Sequence, residues 1–271
     1  MIHSVNSRIT TGEDRGALSP IAALVRRHDR DRYQTALFAP AAAREALFSL
    51  YAFNYEVARV RETVHEPMLG QIRLQWWREA IDTAFAGGAT RAHPVVEAIT
   101  ATIRGHGLDR TLFNTVIDAR ERDLDDAPHA SLAALEAYVE GTTAPLVLLA
   151  LDILRADNGA AREAARHVGI VYGLAGILRA LPFHARQGRA LLADDLAIRD
   201  VVEAGAAHLA AARSQRREIP SAALPALLGA RIAGRALRQV ERARFDPSAV
   251  AGETDPLQSW RLALAAMTGR F

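Results

Sequence analysis

Residues 144–180 read APLVLLALDILRADNGAAREAARHVGIVYGLAGILRA and contain the two segments that decide the fold. Residues 146–155 are apolar almost all round, which is typical of a helix buried on every side. Residues 160–179 follow the 3.6-residue period of a second helix. One face of that helix carries only the small residues Gly169, Gly173, Gly176 and Ala180. We expect this face either to pack closely on another helix or to line a cavity.

The same helical period recurs along the rest of the chain from Pro20, and no window shows the period-2 alternation of a half-buried strand. Proline and glycine mark the predicted ends of helices, among them Pro67, Gly141 and Pro182. We predict helices over residues 21–28, 41–62, 69–86, 94 onward, 109–124, 132–140, 145–155, 160–179, 195–218, 222–245 and 257–270. The fold class is therefore all-α. We expect a single domain over residues 1–271, with residues 1–19 poorly ordered.

Composition excludes several classes of function. The 271 residues contain no cysteine, so disulfides, thiolate metal sites and cysteine nucleophiles are excluded. All 33 basic residues are arginine, and 31 acidic residues reduce the net charge to +2, so charge does not indicate nucleic acid as a partner. The longest apolar run, residues 144–151, is shorter than a bilayer span of roughly 20 residues, so we expect a soluble or peripheral protein.

Four segments carry a resemblance to a known family. They are FAPAAAREALFSLYAFNYEVARVRE at residues 38–62, RLQWWRE at 73–79, VIDARERDL at 116–124 and GIVYGLAGILRALPFHARQGRALL at 169–192. In order, spacing and helical context they resemble the squalene/phytoene synthase family. The resemblance implies an isoprenoid-synthase-type bundle of roughly eight to ten helices around a central apolar cavity.

Family synthases use two Asp-x-x-x-Asp motifs, whose carboxylates share one helix face and hold Mg²⁺ against diphosphate. Here the first motif falls on residues 58–62, Ala-Arg-Val-Arg-Glu, which keeps one carboxylate of the pair. The second falls on residues 180–184, Ala-Leu-Pro-Phe-His, which keeps none. We therefore expect that magnesium-dependent ionisation is lost, with no metal ligand, no cofactor and no assigned catalytic residue. Mg²⁺ would be needed only if the chain were an active synthase.

A subgroup of the family fits these departures better. Residues 53–56 with Glu62, the pair Trp76-Trp77, residues 119–126 and the stretch Leu-Arg-Ala-Leu-Pro-Phe-His at 178–184 resemble a complex I assembly factor built on the synthase scaffold. The resemblance implies complex I subunits or assembly intermediates as partners, and a prenyl or quinone-like lipid as a further candidate ligand. It also implies a bacterial cytoplasmic protein with peripheral contact with the inner membrane, and no nucleic acid partner.

The candidate cavity or ligand-binding residues come from these motifs. They are Arg44, Tyr51, Glu62, Arg73, Trp76, Asp118, Asp123, Arg179, His184 and Arg189. Three arginines of this set, Arg44, Arg179 and Arg189, would suit a phosphorylated lipid bound without metal. An ion pair between Glu62 and Arg179 is one hypothesis, and solvated surface pairs for the acidic residues are the alternative. Trp77 is predicted to be core, and Trp76 to form either a pocket wall or a second packing surface.

Three functional hypotheses follow. The first is a non-catalytic factor in the assembly of respiratory complex I, the NADH:quinone oxidoreductase. The second is a prenyltransferase that condenses two prenyl diphosphates head to head through unconventional ligands. The third is a lipid carrier without a link to respiration. For the last helix, docking on its own bundle is favoured over resting on a membrane surface.

Overall fold

The computed structural model describes residues 18–64, 66–252 and 255–271. No strand occurs in these ranges, so the all-α prediction is confirmed. The helices are α1 (Pro20–His28), α2 (Arg30–Ala36), α3 (Ala41–Ala58), α4 (Val60–Thr63), α5 (Pro67–Phe85), α6 (Pro94–His106), α7 (Arg110–Arg120), α8 (Leu132–Leu154), α9 (Gly159–Arg186), α10 (Ile198–Ser214), α11 (Leu224–Leu227), α12 (Gly229–Arg242) and α13 (Gln258–Thr268). Short 3₁₀ turns cover Glu121–Leu124, Arg216–Glu218, Ser221–Ala223 and Pro247–Val250. The prediction of poor order falls mainly on residues 1–17, outside the described ranges.

Side-chain caps explain where many of these helices begin. Ser19, Asp29 and Asp109 each accept a hydrogen bond from a backbone N–H in the first turn of α1, α2 and α7, where the helix itself supplies no acceptor. Ser131 and Asn158 do the same for α8 and α9. Asp109 is thus the N-cap of α7, at the start of the helix predicted over residues 109–124. α7 ends at Arg120, and the remaining residues of the predicted helix, Glu121–Leu124, form a 3₁₀ turn.

The predicted break between residues 140 and 145 is wrong. The chain forms one helix, α8, that runs through both Gly141 and Pro145. Gly141 does not end a helix. It lies where a Cβ atom would come within 2.8 Å of the Cβ of Ala119 on α7, so its small size serves packing. Pro145 is buried inside the helix, where tertiary packing outweighs the loss of one backbone hydrogen bond.

Three other predicted boundaries also differ from the structure. α9 continues through Pro182 to Arg186, so the loop predicted after Pro182 begins later. The helix predicted over residues 41–62 is broken at Arg59, and the one predicted over 222–245 divides into α11 and α12. The sequence prediction missed α2, a helix of seven residues, because it is too short to show a clear period.

α8 and α9 form the centre of the bundle and approach each other closely. A Cβ atom on Gly169 would collide with the backbone of Ala144, and one on Gly173 would lie 2.6 Å from the Cβ of Val139. The glycine face of α9 therefore packs on α8, which decides between the two alternatives that the sequence left open for this segment. Gly176 differs, because nothing lies within 4 Å of the position that a Cβ atom would take there.

Both central helices are long and apolar enough, by length and composition alone, to cross a membrane. Over the most apolar 18-residue window, 61% of α8 and 39% of α9 is buried inside the protein. A helix at the core of a bundle meets the same criterion, because it too is apolar on most of its faces. The buried contacts between α8 and α9 fit helices at the core of a bundle.

A chain of four polar side chains connects α8, α9 and α10. His167 and His208 bring their Nδ1 atoms to 2.7 Å, and their Nε2 atoms lie 3.1 Å from Glu163 and Glu136, respectively. At the Nδ1 contact one ring must donate and the other accept, so the pair is stable only while at least one ring is neutral. Burial, followed by the charges of His208 and Arg166, lowers the pKa of His167 although Glu163 acts to raise it.

We expect opposite effects from adding a methyl group at two glycines of α9. Gly169→Ala should lower the free energy of unfolding by about 1–3 kcal/mol, because the backbone of Ala144 cannot move away as a flexible side chain would. Gly176→Ala, the matched control, should raise it by roughly 0.5–1 kcal/mol through helix propensity. Urea denaturation measures both, and an unchanged midpoint for Gly169→Ala would contradict the close approach of the helices.

We expect acid to weaken the histidine contact between α9 and α10. Because the pKa of His167 is lower in the folded state than its usual 6.5, the unfolded state takes up a proton first and stability falls as the pH drops below about 6.5. His167→Gln should reduce the pH dependence of the thermal midpoint over that window. His28→Gln, on the exposed surface of α1, is the comparison variant. Equal slopes for wild type and His167→Gln would refute this effect.

Candidate functional site

An ion pair between α2 and α9 lies inside the bundle. Arg179 of α9 donates to Asp31 of α2 at 2.7 Å, with 31% and 19% of the two side chains exposed. Burial acts to raise the pKa of Asp31, but Arg179, Gln258 and Arg32 outweigh it and leave the pKa below its usual value. The hypothesis that Arg179 pairs with Glu62 is wrong, because Asp31 holds the guanidinium instead.

A second arginine, Arg32 of α2, lies next to this ion pair. Arg32 pairs with Asp29 at 2.7 Å, and its guanidinium carbon lies 4.7 Å from the ring centre of Tyr172 and 5.8 Å from that of Tyr51. Such contacts between a cation and an aromatic ring stabilise a charge that has little water around it. Burial raises the pKa of Tyr51 to about 12, so its hydroxyl stays protonated as a donor.

These groups line a small internal cavity. Its polar wall contains Asp31, Arg32, Tyr51 and Tyr172, and its apolar wall includes Val168. The cavity has a volume of about 20 Å³, which is room for about one water molecule. A ligand of prenyl size would need several hundred Å³. This cavity is therefore too small for a ligand of that size.

The start of α13 is anchored to the ion pair between Asp31 and Arg179. The Nε2 atom of Gln258 donates to Asp31 at 2.8 Å and to the Oε1 atom of Gln34 at 2.7 Å. Gln34 in turn donates to the hydroxyl of Ser259 at 3.0 Å. These amide contacts connect the last helix with α2 across more than 220 residues of sequence.

The first motif position, residues 58–62, straddles a break between helices. α3 ends at Ala58, Arg59 is its C-cap, and the backbone N–H of Glu62 bonds to the carbonyl of Arg59 instead of Ala58. Ala58 offers no ligand atom, and Glu62 is exposed. This segment therefore lacks the pair of carboxylates four residues apart on one continuous helix that would bind a divalent ion.

The second motif position, residues 180–184, lies near the end of α9. Beyond it Gly188, with φ of 72°, turns the chain back, so that the backbone N–H of Arg189 bonds to the carbonyl of His184. Arg189 then lies 3.4 Å from Asp126, and Arg61 of α4 pairs with the same carboxylate at 2.8 Å. Two arginines thus share one aspartate where the two motif segments meet.

His184 lies in this cluster, and its Nδ1 atom is buried without a hydrogen-bond partner. Burial and the charge of Arg189 lower the pKa of His184, although Glu62 and Asp123 act to raise it. The ring is therefore neutral at pH 7. These electrostatic effects also place Glu62, Asp123 and Arg189 around His184, so the structure brings four of the predicted site residues together.

A hydrogen-bonded triad closes the inner side of the cluster. The Tyr138 hydroxyl donates to Asp123 at 2.6 Å and accepts from Arg120 at 2.9 Å, while Arg120 also donates to Asp123 at 3.1 Å. Burial raises the pKa of Tyr138 above its usual value. The charge of Arg32 acts to lower the pKa of Arg120, so the triad interacts electrostatically with the arginine of α2.

The residues of this cluster do not fit Mg²⁺. Two aspartates of the cluster, Asp123 and the exposed Asp126, already bind arginine. In the part of the chain that the structure describes, no group of three His, Cys, Asp or Glu residues has the geometry to hold a metal ion. The Nε atoms of Arg61, Arg120 and Arg189 are buried without hydrogen-bond partners. The chemistry of this donor set favours an anion over a cation.

The other predicted site residues lie elsewhere. Arg44 donates to the carbonyl of Ala39 at 2.9 Å, which fixes the turn before α3. Arg73 and Trp76 line an open groove of about 520 Å³ on the outer side of α5, where Arg73 donates to Thr63 at 3.2 Å. Asp118 is exposed on α7 and pairs with Arg78. Trp77 is 3% exposed, as predicted for a core residue.

Sequence reasoning missed several residues of both clusters. They are Asp29, Asp31, Arg32, Arg61, Arg120, Asp126, Tyr138, Tyr172 and Gln258. Most are charged residues on short or irregular segments, where no period indicates which side faces inward. Tyr172 carried a weak signal, because it is an aromatic residue on the predicted helix 160–179, one of the two segments that decide the fold.

Comparison with solved structures defines the class of fold. The chain superposes on a dehydrosqualene synthase with a TM-score of 0.77, covering 92% of this chain and 94% of that one at 14% sequence identity. The fold is therefore the all-α fold of the isoprenoid synthases, as the sequence predicted. At this identity the match concerns the fold alone.

Comparison of sequences defines the family. The squalene/phytoene synthase family model matches residues 25–197, so the chain belongs to that family. It is 32% identical over 258 residues to the NADH dehydrogenase (ubiquinone) complex I, assembly factor 6 of Bos taurus, covering 87% of this chain and 76% of the bovine protein. It is 27% identical over 152 residues to the presqualene diphosphate synthase of Sinorhizobium fredii (strain NBRC 101917 / NGR234), covering 55% and 53% of the two chains.

We expect Asp31→Asn to destabilise the bundle. The change leaves Arg179 without its carboxylate, and the cost should be about 1–3 kcal/mol, less than for a fully buried pair because Arg179 keeps part of its surface in water. Asp82→Asn, which removes a surface pair with Arg110, is the control and should cost less than about 0.5 kcal/mol. Chemical denaturation measures both variants. Equal losses would show that the interior position of Asp31 contributes nothing.

Proposed function

We propose that this protein acts in the assembly of respiratory complex I as a non-catalytic member of the squalene/phytoene synthase family. The observation that carries the proposal is the charge of the two motif positions. Ala58 and Ala180 supply no ligand, and the neighbouring Asp126 is shared between Arg61 and Arg189. Magnesium-dependent departure of diphosphate requires carboxylates that are free to bind the metal.

The similarity to a mammalian complex I assembly factor supports the same proposal. That relative covers most of this chain, whereas the presqualene diphosphate synthase covers about half. By its name, the mammalian relative assembles NADH dehydrogenase, and we propose complex I subunits or assembly intermediates as the partners of this chain. We further propose that it works in the bacterial cytoplasm and needs no cofactor.

A prenyl or quinone-like lipid in the inherited cavity is a finer proposal. Leu146, Val147 and Val168 give the cavity an apolar wall, and Arg32 on its polar side would suit a phosphate or a carbonyl oxygen. At about 20 Å³ the cavity holds no such ligand as it stands, so binding requires α2 to move away from α9. Lipid extraction from purified protein followed by mass spectrometry would detect a retained ligand.

We expect deletion of the gene to lower the amount of assembled NADH:quinone oxidoreductase in a host that has this enzyme. Complementation separates the scaffold role from catalysis. The wild type and Glu62→Gln should both restore the complex, because the proposal gives the exposed carboxylate of Glu62 no metal to bind. Blue-native gels with an activity stain measure the complex. Unchanged levels after deletion would refute the assembly role.

An assay with purified protein tests the enzyme alternative directly. Incubated with farnesyl or geranylgeranyl diphosphate and Mg²⁺, the protein should release no diphosphate above the background of the heat-denatured sample. Release that Glu62→Gln abolishes would refute the non-catalytic role and support a prenyltransferase with unconventional ligands. The two experiments are independent, since an active enzyme could still be required for assembly of the complex.

A further inference from the structure

An apolar stripe on α13 faces away from the bundle. Its members are Leu257, which caps the helix, and Trp260, Leu264 and Met267, with 51%, 76%, 61% and 85% of their surfaces exposed. At 100° per residue these positions fall within an arc of roughly 80°. The opposite face of α13 carries Leu262 and Ala265, which are buried against Leu228 and Ile232. The helix is therefore docked on the bundle and still presents a second apolar face.

A ridge of arginines runs along the neighbouring helix, α12. Its members are Arg231, Arg235, Arg238 and Arg242, at positions i, i+4, i+7 and i+11. This spacing places all four within an arc of roughly 60° on one side of the helix. The other side of α12 is buried in the core through residues such as Leu237 and Val240. The ridge therefore faces outward.

The arginine ridge continues onto α13 and α10. Burial and the charges of neighbouring arginines lower the pKa of Arg238, and these neighbours are Arg231, Arg242, Arg235 and Arg261. Arg213 of α10 has its pKa lowered by burial and by Arg231, Arg238 and Arg216. Asp255, 3.4 Å from both Arg235 and Arg261, offsets part of this charge, and Glu241 lies along the same side as Arg238.

A groove of about 880 Å³ extends the basic surface past the end of α13. Five arginines line it, namely Arg213, Arg216, Arg217, Arg231 and Arg270. Arg213 and Arg216 donate to the carbonyls of Phe271 and Gly269, at 2.6 and 3.0 Å, so the groove is built against the end of α13. Guanidinium groups in such a groove match the geometry of a phosphate.

Like charges stacked on one helix face cost stability. Replacing some of these arginines would relieve this repulsion, and so would a partner of opposite charge. Partners that would offset it are anionic. The apolar stripe beside the ridge adds a second requirement, because a partner must also bury Trp260 and Met267, the most exposed large apolar residues of this helix.

We infer that α12 and α13 together form a docking surface for an anionic lipid bilayer. Trp, Leu and Met next to arginine are the composition of helices that lie in a membrane interface. The apolar stripe would enter the boundary between headgroups and acyl chains, and the arginine ridge and groove would meet lipid phosphates. This inference does not rest on the role in complex I assembly, since it concerns only how the protein is held at a membrane.

Vesicle sedimentation tests the docking surface. The wild type should bind vesicles of phosphatidylcholine mixed with phosphatidylglycerol, should bind pure phosphatidylcholine much less, and should be released by high salt. The double variant Arg238→Gln/Arg242→Gln should lower the partition coefficient by about fivefold for each arginine removed. The control Arg26→Gln/Arg27→Gln removes the same charge from the exposed surface of α1 and should bind almost as well as the wild type.

Two further measurements separate docking from damage to the fold. Trp260→Ser/Met267→Ser should weaken vesicle binding with little change in thermal midpoint, because both side chains are already in water. Arg238→Gln should raise the thermal midpoint, since it relieves repulsion in the ridge, while it weakens vesicle binding. If the wild type does not bind anionic vesicles, the inference is overturned. This holds even if the same surface is found to bind a protein. Equal losses from the α12 and α1 double variants would overturn it as well.

Discussion

The close approach of α8 and α9 is the constraint on which the rest of the structure depends. Gly169 lies against the backbone of Ala144, and this contact leaves no room for a side chain between the two helices. The approach sets where Arg179 and His184 emerge, because both are on α9 beyond the contact. α2 then supplies the carboxylate partner of Arg179, and the loop before α8 supplies Asp126 to Arg61 and Arg189. A wider spacing would separate Arg179 from Asp31 and open the small cavity between them.

Charge distribution inside the bundle relates the fold to the proposed function. Arginines lie at and beside the two motif segments, where a synthase would need unpaired carboxylates. Asp31, Asp123 and Asp126 each bind at least one arginine, so these carboxylates neutralise cations of the protein itself. The scaffold thus keeps its helices while its carboxylates pair with its own arginines, and the buried Nε atoms of Arg61, Arg120 and Arg189 stay without a hydrogen-bond partner. Such a site is suited to holding shape or an anion, and poorly suited to seating a divalent ion.

The sequence predicted the architecture better than it predicted the site. Helical periodicity identified most long helices, and the glycines of α9 indicated either a close contact or a cavity wall, between which the structure decides. Gly141, Pro145 and Pro182 misled the prediction, because local propensity favours a break there and buried packing overrides it. The motif positions 58–62 and 180–184 could be found by resemblance. The ion pairs of Asp31, Arg61 and Asp126 could not be found, because pairs between segments far apart in sequence leave no periodic signal.

The side chain of Gln258 connects α13 with the ion pair between Asp31 and Arg179. Gln258 begins α13, and its side chain donates to Asp31, the residue that holds Arg179. If α13 tilts or shifts at its first turn, this amide must release Asp31 or pull the carboxylate with it. A shift of the last helix that keeps this hydrogen bond therefore also moves a charged group in the wall of the cavity.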